Sequence, residues 1–335
     1  MYLSVLNATN NNKITDDGIK HMNLTVLEAS DNQFITDNTI KHMNLQILDV
    51  SGIFSSITDD GIKGLNLRKL TITTNGNISD EGIRNMTTLQ LLNLSGTNIT
   101  DNGIKSLNLK VLDASHCSIS DQGIEHMKLV SLNCAGNKNI TDQGIARMKH
   151  SLRILDVSYS DISDEGVKYL QLDQLLLSGN YNITDDAIKH MNLITLDAQN
   201  SRITDQGIKN MKLINLNCSG NPKITDEGIK YMTLKILNAS FNNKITDEGI
   251  VSFCLPFMGK LRSPEGKPMN LHTLNADSNN MITDNGIKHM NLKILNASEN
   301  KKITNDGIKH MKLHTLSANW NKKITDAGIK HMTLY

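Results

Sequence analysis

LKILNASENKKITNDGIKHMK, residues 292–312, is one copy of a unit that recurs along nearly the whole chain. Its Ile303 has counterparts at Ile14, Ile35, Ile57, Ile78 and onward to Ile324, fifteen positions in all. The steps are 20 to 22 residues, apart from one of 37 between Ile245 and Ile282. A fixed period in this range marks a solenoid, in which each unit buries its apolar side only against its neighbours. Residues 1–335 therefore read as one elongated domain of about 15 repeats rather than the two or three domains that such a length would otherwise suggest.

Within a copy the periodicity changes once. In residues 24–43, Leu27-Glu28-Ala29-Ser30 alternates with period two, so a short half-buried strand is expected. Asn32 and a loop follow, then Ile35-Thr36-Asp37. Thr36 is placed to cap a helix, Asp37 suits the positive end of the helix dipole, and Ile35 with Ile40 forms a hydrophobic staple across the cap. Ile40 and Met43, three apart, give the short helix its buried face. Strand plus helix in ~21 residues makes one coil of a right-handed α/β solenoid, with parallel strands in a row. Helices are wider than strands, so the row is expected to curve into a horseshoe, strands concave and helices convex.

The motif Leu292-xx-Leu295-x-Ala297-xx-Asn300 matches LxxLxLxxN, with Ala usually at the third apolar position, and resembles the leucine-rich repeat (LRR) family. The ITDxGI half is similar to the cysteine-containing subclass found in F-box substrate receptors of ubiquitin ligases, and Cys117 stands in the Asn position as that subclass has it. The unit here is shorter than that subclass's, and no F-box-like helical segment precedes the first strand. The uniform Asn-, Lys- and Ile-rich copies also resemble LRR proteins of giant viruses and protists. The resemblance implies a non-enzymatic protein–protein interaction scaffold, or alternatively a substrate-receptor subunit of a ubiquitin ligase.

Two recurring residues read as structural. Asn11, Asn32, Asn75, Asn137, Asn180, Asn221, Asn242, Asn279, Asn300 and Asn321 share one position, where a buried amide can satisfy backbone groups of two adjacent coils. Where Thr97, Cys117, Ser160 or Ser201 replaces it, the following loop is one residue shorter; Ile53 marks a longer loop. Glycine holds the third helical position in all copies but those with Thr39 and Ala187. Glycine costs a helix about 1 kcal/mol, so its recurrence predicts coils too close for a Cβ.

Net charge is +1, so no global field draws nucleic acid or an anionic membrane. No stretch approaches the ~20 apolar residues of a membrane span. MYLSVLNATNNN already matches the repeat rather than a signal peptide. Cys117, Cys134, Cys218 and Cys254 lack metal or redox spacing and read as buried thiols in a reducing compartment. An intracellular, cytoplasmic chain is expected, in the host cytoplasm if viral. There is no nucleophile–base pair, metal quartet or phosphate loop, so no enzyme activity, cofactor or metal is expected. The stacked row of His21, His42, His126, His190, His289, His310 and His331 reads as solvated helix face. The Lys row beside it is cancelled by helix-start acids such as Asp16, Asp37 and Asp59.

Two surfaces remain as candidates for a protein partner. On the strand face these are Asp113, Asp156 and Asp197, with His116, Tyr159 and Trp320 at the strand exit. The other is the inserted loop 254–269, with Phe257, Lys260 and Arg262. The terminal coils lack polar caps, so end-to-end self-association is also expected.

Overall fold

The computed structural model describes residues 3–251 and 271–332. The inserted loop, with Phe257, Lys260 and Arg262, lies outside the described residues. The chain forms two compact units, Met1–Gln171 and Leu172–Tyr335. The first carries eight coils, from the strand Val5–Asn7 to the helix Asp164–Val167; the second carries seven, from Gln174–Leu176 to Asp326–Ile329. In every coil a three-residue strand is followed by a helix of four or five residues.

The strands of each unit pair in parallel, in chain order and without slip. In the first unit Leu6 faces Leu27, and Leu27 faces Leu48. In the second, Leu196 faces Leu216, and Leu295 faces Leu316. A one-residue slip would turn every apolar side chain to solvent, so the buried leucine column fixes the register. The pairing also runs across the 37-residue step, where Leu237 faces Leu274.

The core lies between strand and helix. In the second coil, Leu24, Leu27, Ala29, Ile35 and Ile40 are all buried. Each large aliphatic side chain contributes about 2 kcal/mol by leaving water. Thr36 caps its helix, its hydroxyl accepting from Asn38 N at 3.3 Å. Helices this short carry almost no intrinsic stability and are held by the buried staple and by contact with the next coil.

The asparagine rungs join coils. Asn242 is fully buried; its Nδ2 donates to the carbonyls of Cys218, Asn221 and Ile224 in the preceding coil at 3.2, 2.8 and 3.1 Å. Its Oδ1 accepts from Lys244 N and Ile245 N at 2.9 and 3.3 Å. Shorter side chains at this position bond within their own coil, and Ser201 Oγ also accepts from Asn221 Nδ2 of the next coil at 3.3 Å. Thr97, Ser160 and Ser201 donate to the carbonyl three residues back in their own coil, at 2.7, 2.8 and 2.9 Å. The loop at Ile53 works differently. Ile53 and Phe54 are exposed, and buried Ser55 turns its hydroxyl to Ile57 N.

The glycine position has a definite cause. A Cβ on Gly144 would lie 2.1 Å from Asp121 Oδ1, and one on Gly207 would lie 2.4 Å from Asp185 Oδ1. The first-turn aspartate of one coil lies against the glycine of the next because it bonds that coil's cap. Asp121 takes the Thr141 backbone N–H at 2.8 Å and the Thr141 hydroxyl at 2.6 Å. The same pair recurs from Asp16 to Thr36 and from Asp284 to Thr304. The hydroxyls of Thr36, Thr141 and Thr304 thus donate to the previous coil while accepting from their own helix, whereas Thr15 and Thr325 make no side-chain cap bond. Gly18 differs: a Cβ there would meet nothing within 4 Å. In the coil with Thr39 the helix bond Lys41 N to Asp37 O lengthens to 3.3 Å, against 2.9 Å for Lys105 N to Asp101 O where glycine is present.

Candidate partner-binding surfaces

The outward strand position is rich in Asn and Asp for a local reason. Asp113 Oδ1 accepts from Ser115 N at 3.0 Å and from the Ser115 hydroxyl at 2.6 Å. Asp156 accepts from Ser158 N at 2.9 Å, as Asn133 does from Ala135 N at 3.0 Å. An Asx-type bond to the amide two residues on supports the turn that ends the strand. Asp197 has both oxygens engaged, by Gln199 N and by Asn217 Nδ2, each at 2.9 Å. These carboxylates therefore hold the strand exit, a role that asparagine fills equally well in other coils.

That turn places one residue per coil in the left-handed region. Glycine occupies it at Gly52, Gly96, Gly136, Gly179 and Gly220. Asn10, Asp31 and Asn200 tolerate it. His116, Tyr159, Phe241, Glu299 and Trp320 hold the same conformation, with φ between 52° and 59°. For such side chains it costs about 1–2 kcal/mol. The backbone needs this geometry because it aims the N–H at the next coil: His116 N donates to Ala135 O and Phe241 N to Asp277 O, both at 3.0 Å. Side chains here also lean along the row. A Cβ on Gly136 would lie 2.4 Å from the His116 ring, and one on Gly52 would lie 2.0 Å from Asp31 Oδ1. From Asp31 to Phe241 glycine alternates with a side chain at this position, whereas Phe241, Ser278, Glu299 and Trp320 follow one another in successive coils.

The strand exit consequently carries large exposed groups. Tyr159 and Phe241 are each 61% exposed, and Trp320 is 82% exposed. In the first unit Asp113, His116, Asp156 and Tyr159 line its strand side. In the second unit Asp197 and Trp320 are coils apart and belong to no common hollow. Phe241, which the sequence also places at the strand exit, joins these groups, and so do Glu299 and Asp277, which nothing in the sequence singles out. A shallow depression of ≈ 570 Å³ in the second unit is lined by Asp277, Asn296, Ser298, Glu299, Ser317, Asn319 and Trp320.

On the helix side several lysines are paired within their own helix, by different acids from those expected. Lys20 bonds Asp17 at 2.7 Å, Lys189 bonds Asp186 at 2.6 Å, and Lys63 bonds Asp60. Asp16, Asp37 and Asp59 instead serve the cap of the following coil. The ammonium partners hold the carboxyls of Asp17, Asp60 and Asp186 below their ordinary range. His126 and His331 bond carbonyls of the preceding coil, Leu107 O at 3.0 Å and Met311 O at 3.2 Å. Among the described residues, no group of three or more His, Cys, Asp or Glu is placed to hold a metal ion. No helix among them is long and apolar enough to cross a membrane.

Cys134 and Cys218 are buried and Cys117 is half-buried, all three unpaired. Burial pushes the Cys117 thiol up to about 11 and the Cys218 thiol up to about 12. It raises Cys134 as well, with the Asp156 carboxylate adding to the effect. A thiol so disfavoured as thiolate is a packing group, not a nucleophile.

A family model described as Leucine Rich repeat matches residues 85–107, 149–170 and 232–254. No curated protein matches the chain. Solved structures of similar fold include a chain of the yeast Rad7–Elc1 complex, 17% identical with a TM-score of 0.60, covering 85% of this chain and 85% of that one. A chain of the TLR13–ssRNA13 complex is 16% identical with a TM-score of 0.58; the match spans 99% of this chain and 57% of that one. A chain of the mouse RP105/MD-1 complex is 16% identical with a TM-score of 0.51, over 97% of this chain and 66% of that one. The matched repeats, the strand–turn–helix coil and the shared fold give this chain the leucine-rich repeat fold.

Proposed function

We propose that the protein is a non-enzymatic scaffold that binds a protein partner along its strand-exit edge. One observation carries this reading. A position that accepts glycine in five coils carries Tyr159, Phe241 and Trp320 instead, exposed and in a conformation that costs them energy. Folding gains nothing from that arrangement, whereas exposed aromatic side chains are the usual anchors of protein interfaces. In the first unit Asp113, His116, Asp156 and Tyr159 make the contact surface. In the second unit it is Asp197 and Trp320. The inserted segment, with Phe257, Lys260 and Arg262, is a second candidate contact. Unpaired buried thiols favour a cytoplasmic setting.

The test is capture of partners by the intact chain, by a variant with glycine at His116, Tyr159, Phe241 and Trp320, and by a chain lacking residues 254–269. Loss of a partner in the first variant locates binding on the strand exit, and loss in the second moves it to the inserted segment. Identical partner lists for all three proteins would refute both.

The alternative, a substrate receptor of a ubiquitin ligase, rests on the F-box-associated look of the ITDxGI half and on a fold shared with a chain of the Rad7–Elc1 complex. Co-purification with cullin-adaptor proteins would favour it; their absence from an otherwise productive capture would exclude it.

A further inference from the structure

We infer that the depression beside Trp320 takes an arginine-bearing segment of the partner, a step that rests on the scaffold reading above. Its chemistry is specific. The Trp320 indole lies 82% exposed at one side. Glu299 and Asp277 add two carboxylates, and no cation lines the depression. The Glu299 carboxylate and the Trp320 indole N–H have no partner among the described residues. Glu299 and Trp320 occupy the strained left-handed position in successive coils, with φ of 52° and 59°. Asn296 uses its Oδ1 to accept from Ser298 N at 3.0 Å, leaving its Nδ2 to donate outward.

A cation over an indole face is attracted by the ring quadrupole, and a carboxylate alongside adds a charge-assisted bond. Arginine suits both at once. Its guanidinium plane stacks on the ring while its fork of N–H groups meets a carboxylate edge. The indole N–H and Asn296 Nδ2 are left as donors for backbone carbonyls of the same segment. A volume of ≈ 570 Å³ lies in the range of small-ligand clefts, suited to one long side chain and its flanking backbone. An acidic segment would meet like charge, and an aliphatic one would leave Glu299 desolvated and unpaired and Asp277 with only the Ser278 hydroxyl at 2.9 Å.

The experiment exploits a compositional accident: Trp320 is the only tryptophan in the chain, so tryptophan emission reports this depression alone. The full-length protein is titrated with a Gly-Ser-Arg peptide and with its Lys and Glu counterparts. The expected result is a saturable change of Trp320 emission with the arginine peptide, a weaker one with lysine and none with glutamate. Caesium should quench the free protein more strongly than iodide, relative to the same quenchers on a free tryptophan amide, because the carboxylates concentrate cations. By anisotropy of the labelled arginine peptide, Trp320→Ala and Glu299→Gln should each weaken binding about tenfold. Both side chains are exposed, and far-UV circular dichroism checks that the variants stay folded. Equal responses to the arginine and glutamate peptides, or unchanged affinity in both variants, would overturn the inference. Partners captured equally by native and Trp320→Ala protein would also overturn it while leaving the scaffold reading intact. Arginine-peptide binding by a chain that captures no partner would support this site and count against the scaffold.

Discussion

Replacing Gly144 by alanine reverses its effect according to what stands at residue 121. In an ordinary helix the change would stabilise by about 1 kcal/mol. Here the new methyl would sit 2.1 Å from Asp121 Oδ1 and 2.7 Å from its Cγ, so the carboxylate must move. It then loses the Thr141 N–H at 2.8 Å and the Thr141 hydroxyl at 2.6 Å. A hydrogen bond contributes about 1 kcal/mol net, so this solvent-exposed pair together contributes about 2 kcal/mol. Net destabilisation of Gly144→Ala should be about 1 kcal/mol. In an Asp121→Ala background those bonds are already gone, and the remaining contact, the residue 121 Cβ at 3.4 Å, is ordinary. There Gly144→Ala should stabilise by up to about 1 kcal/mol, a coupling of about 2 kcal/mol. The assay is urea unfolding of all four proteins by far-UV circular dichroism. Repeat arrays can unfold in parts, so hydrogen exchange over residues 121–148 is read alongside. Gly18→Ala is the control: with nothing near its methyl, it should stabilise by about 0.5–1 kcal/mol. Additive effects in the cycle, or a stabilising Gly144→Ala in the native background, would refute the reasoning.

Asn242→Asp should destabilise by more than about 3 kcal/mol, since a buried carboxylate would face the three carbonyls that Nδ2 now serves. That carboxyl's pKa would be raised on folding, so its deficit should narrow as pH falls and the acid gains a proton to donate; unfolding at pH 4 and pH 7 checks the sign. For the thiols, maleimide labelling mapped by mass should reach Cys117 before Cys134 and Cys218, whose rates should follow local unfolding. With the Cys117 and Cys218 thiols raised to about 11 and about 12, the unfolded chain ionises first. Their contribution to stability is complete below the ordinary thiol range and falls as pH rises from 9 towards 11. A melting temperature flat from pH 8 to 10.5 in the native chain, or equal fast labelling of all three, would contradict the buried placement.

Much of the coil was legible because its signals are local. The Thr36 cap, the Ile35–Ile40 staple and the Leu27–Ala29 alternation each involve residues within a few positions of one another. The close approach at the helical glycine was legible too, because a glycine that a helix disfavours demands an outside cause. Its cause was not: Asp121 bonds Thr141 twenty residues away, and a first-turn aspartate already had a sufficient local explanation in the helix dipole. The backbone role of the outward Asp113 and Asp156 was hidden for a similar reason. A sequence presents them as free surface carboxylates, whereas the turn geometry gives each a backbone amide to hold. The left-handed strand-exit position stayed hidden because its glycines alternate with residues as unlike as Asp31, His116 and Phe241. The repeat places His116, Tyr159 and Trp320 together at the strand exit, but only the backbone angle shows that the place is left-handed.

The strand-exit edge is tested most directly by substituting glycine for His116, Tyr159, Phe241 and Trp320 together. Five coils already carry glycine there, so the backbone keeps its geometry and sheds strain. Capture of partners is compared with the native chain, with circular dichroism and the urea midpoint confirming the fold. The proposal predicts loss of the partner with the fold retained. A folded variant that captures the native partners undiminished would contradict it.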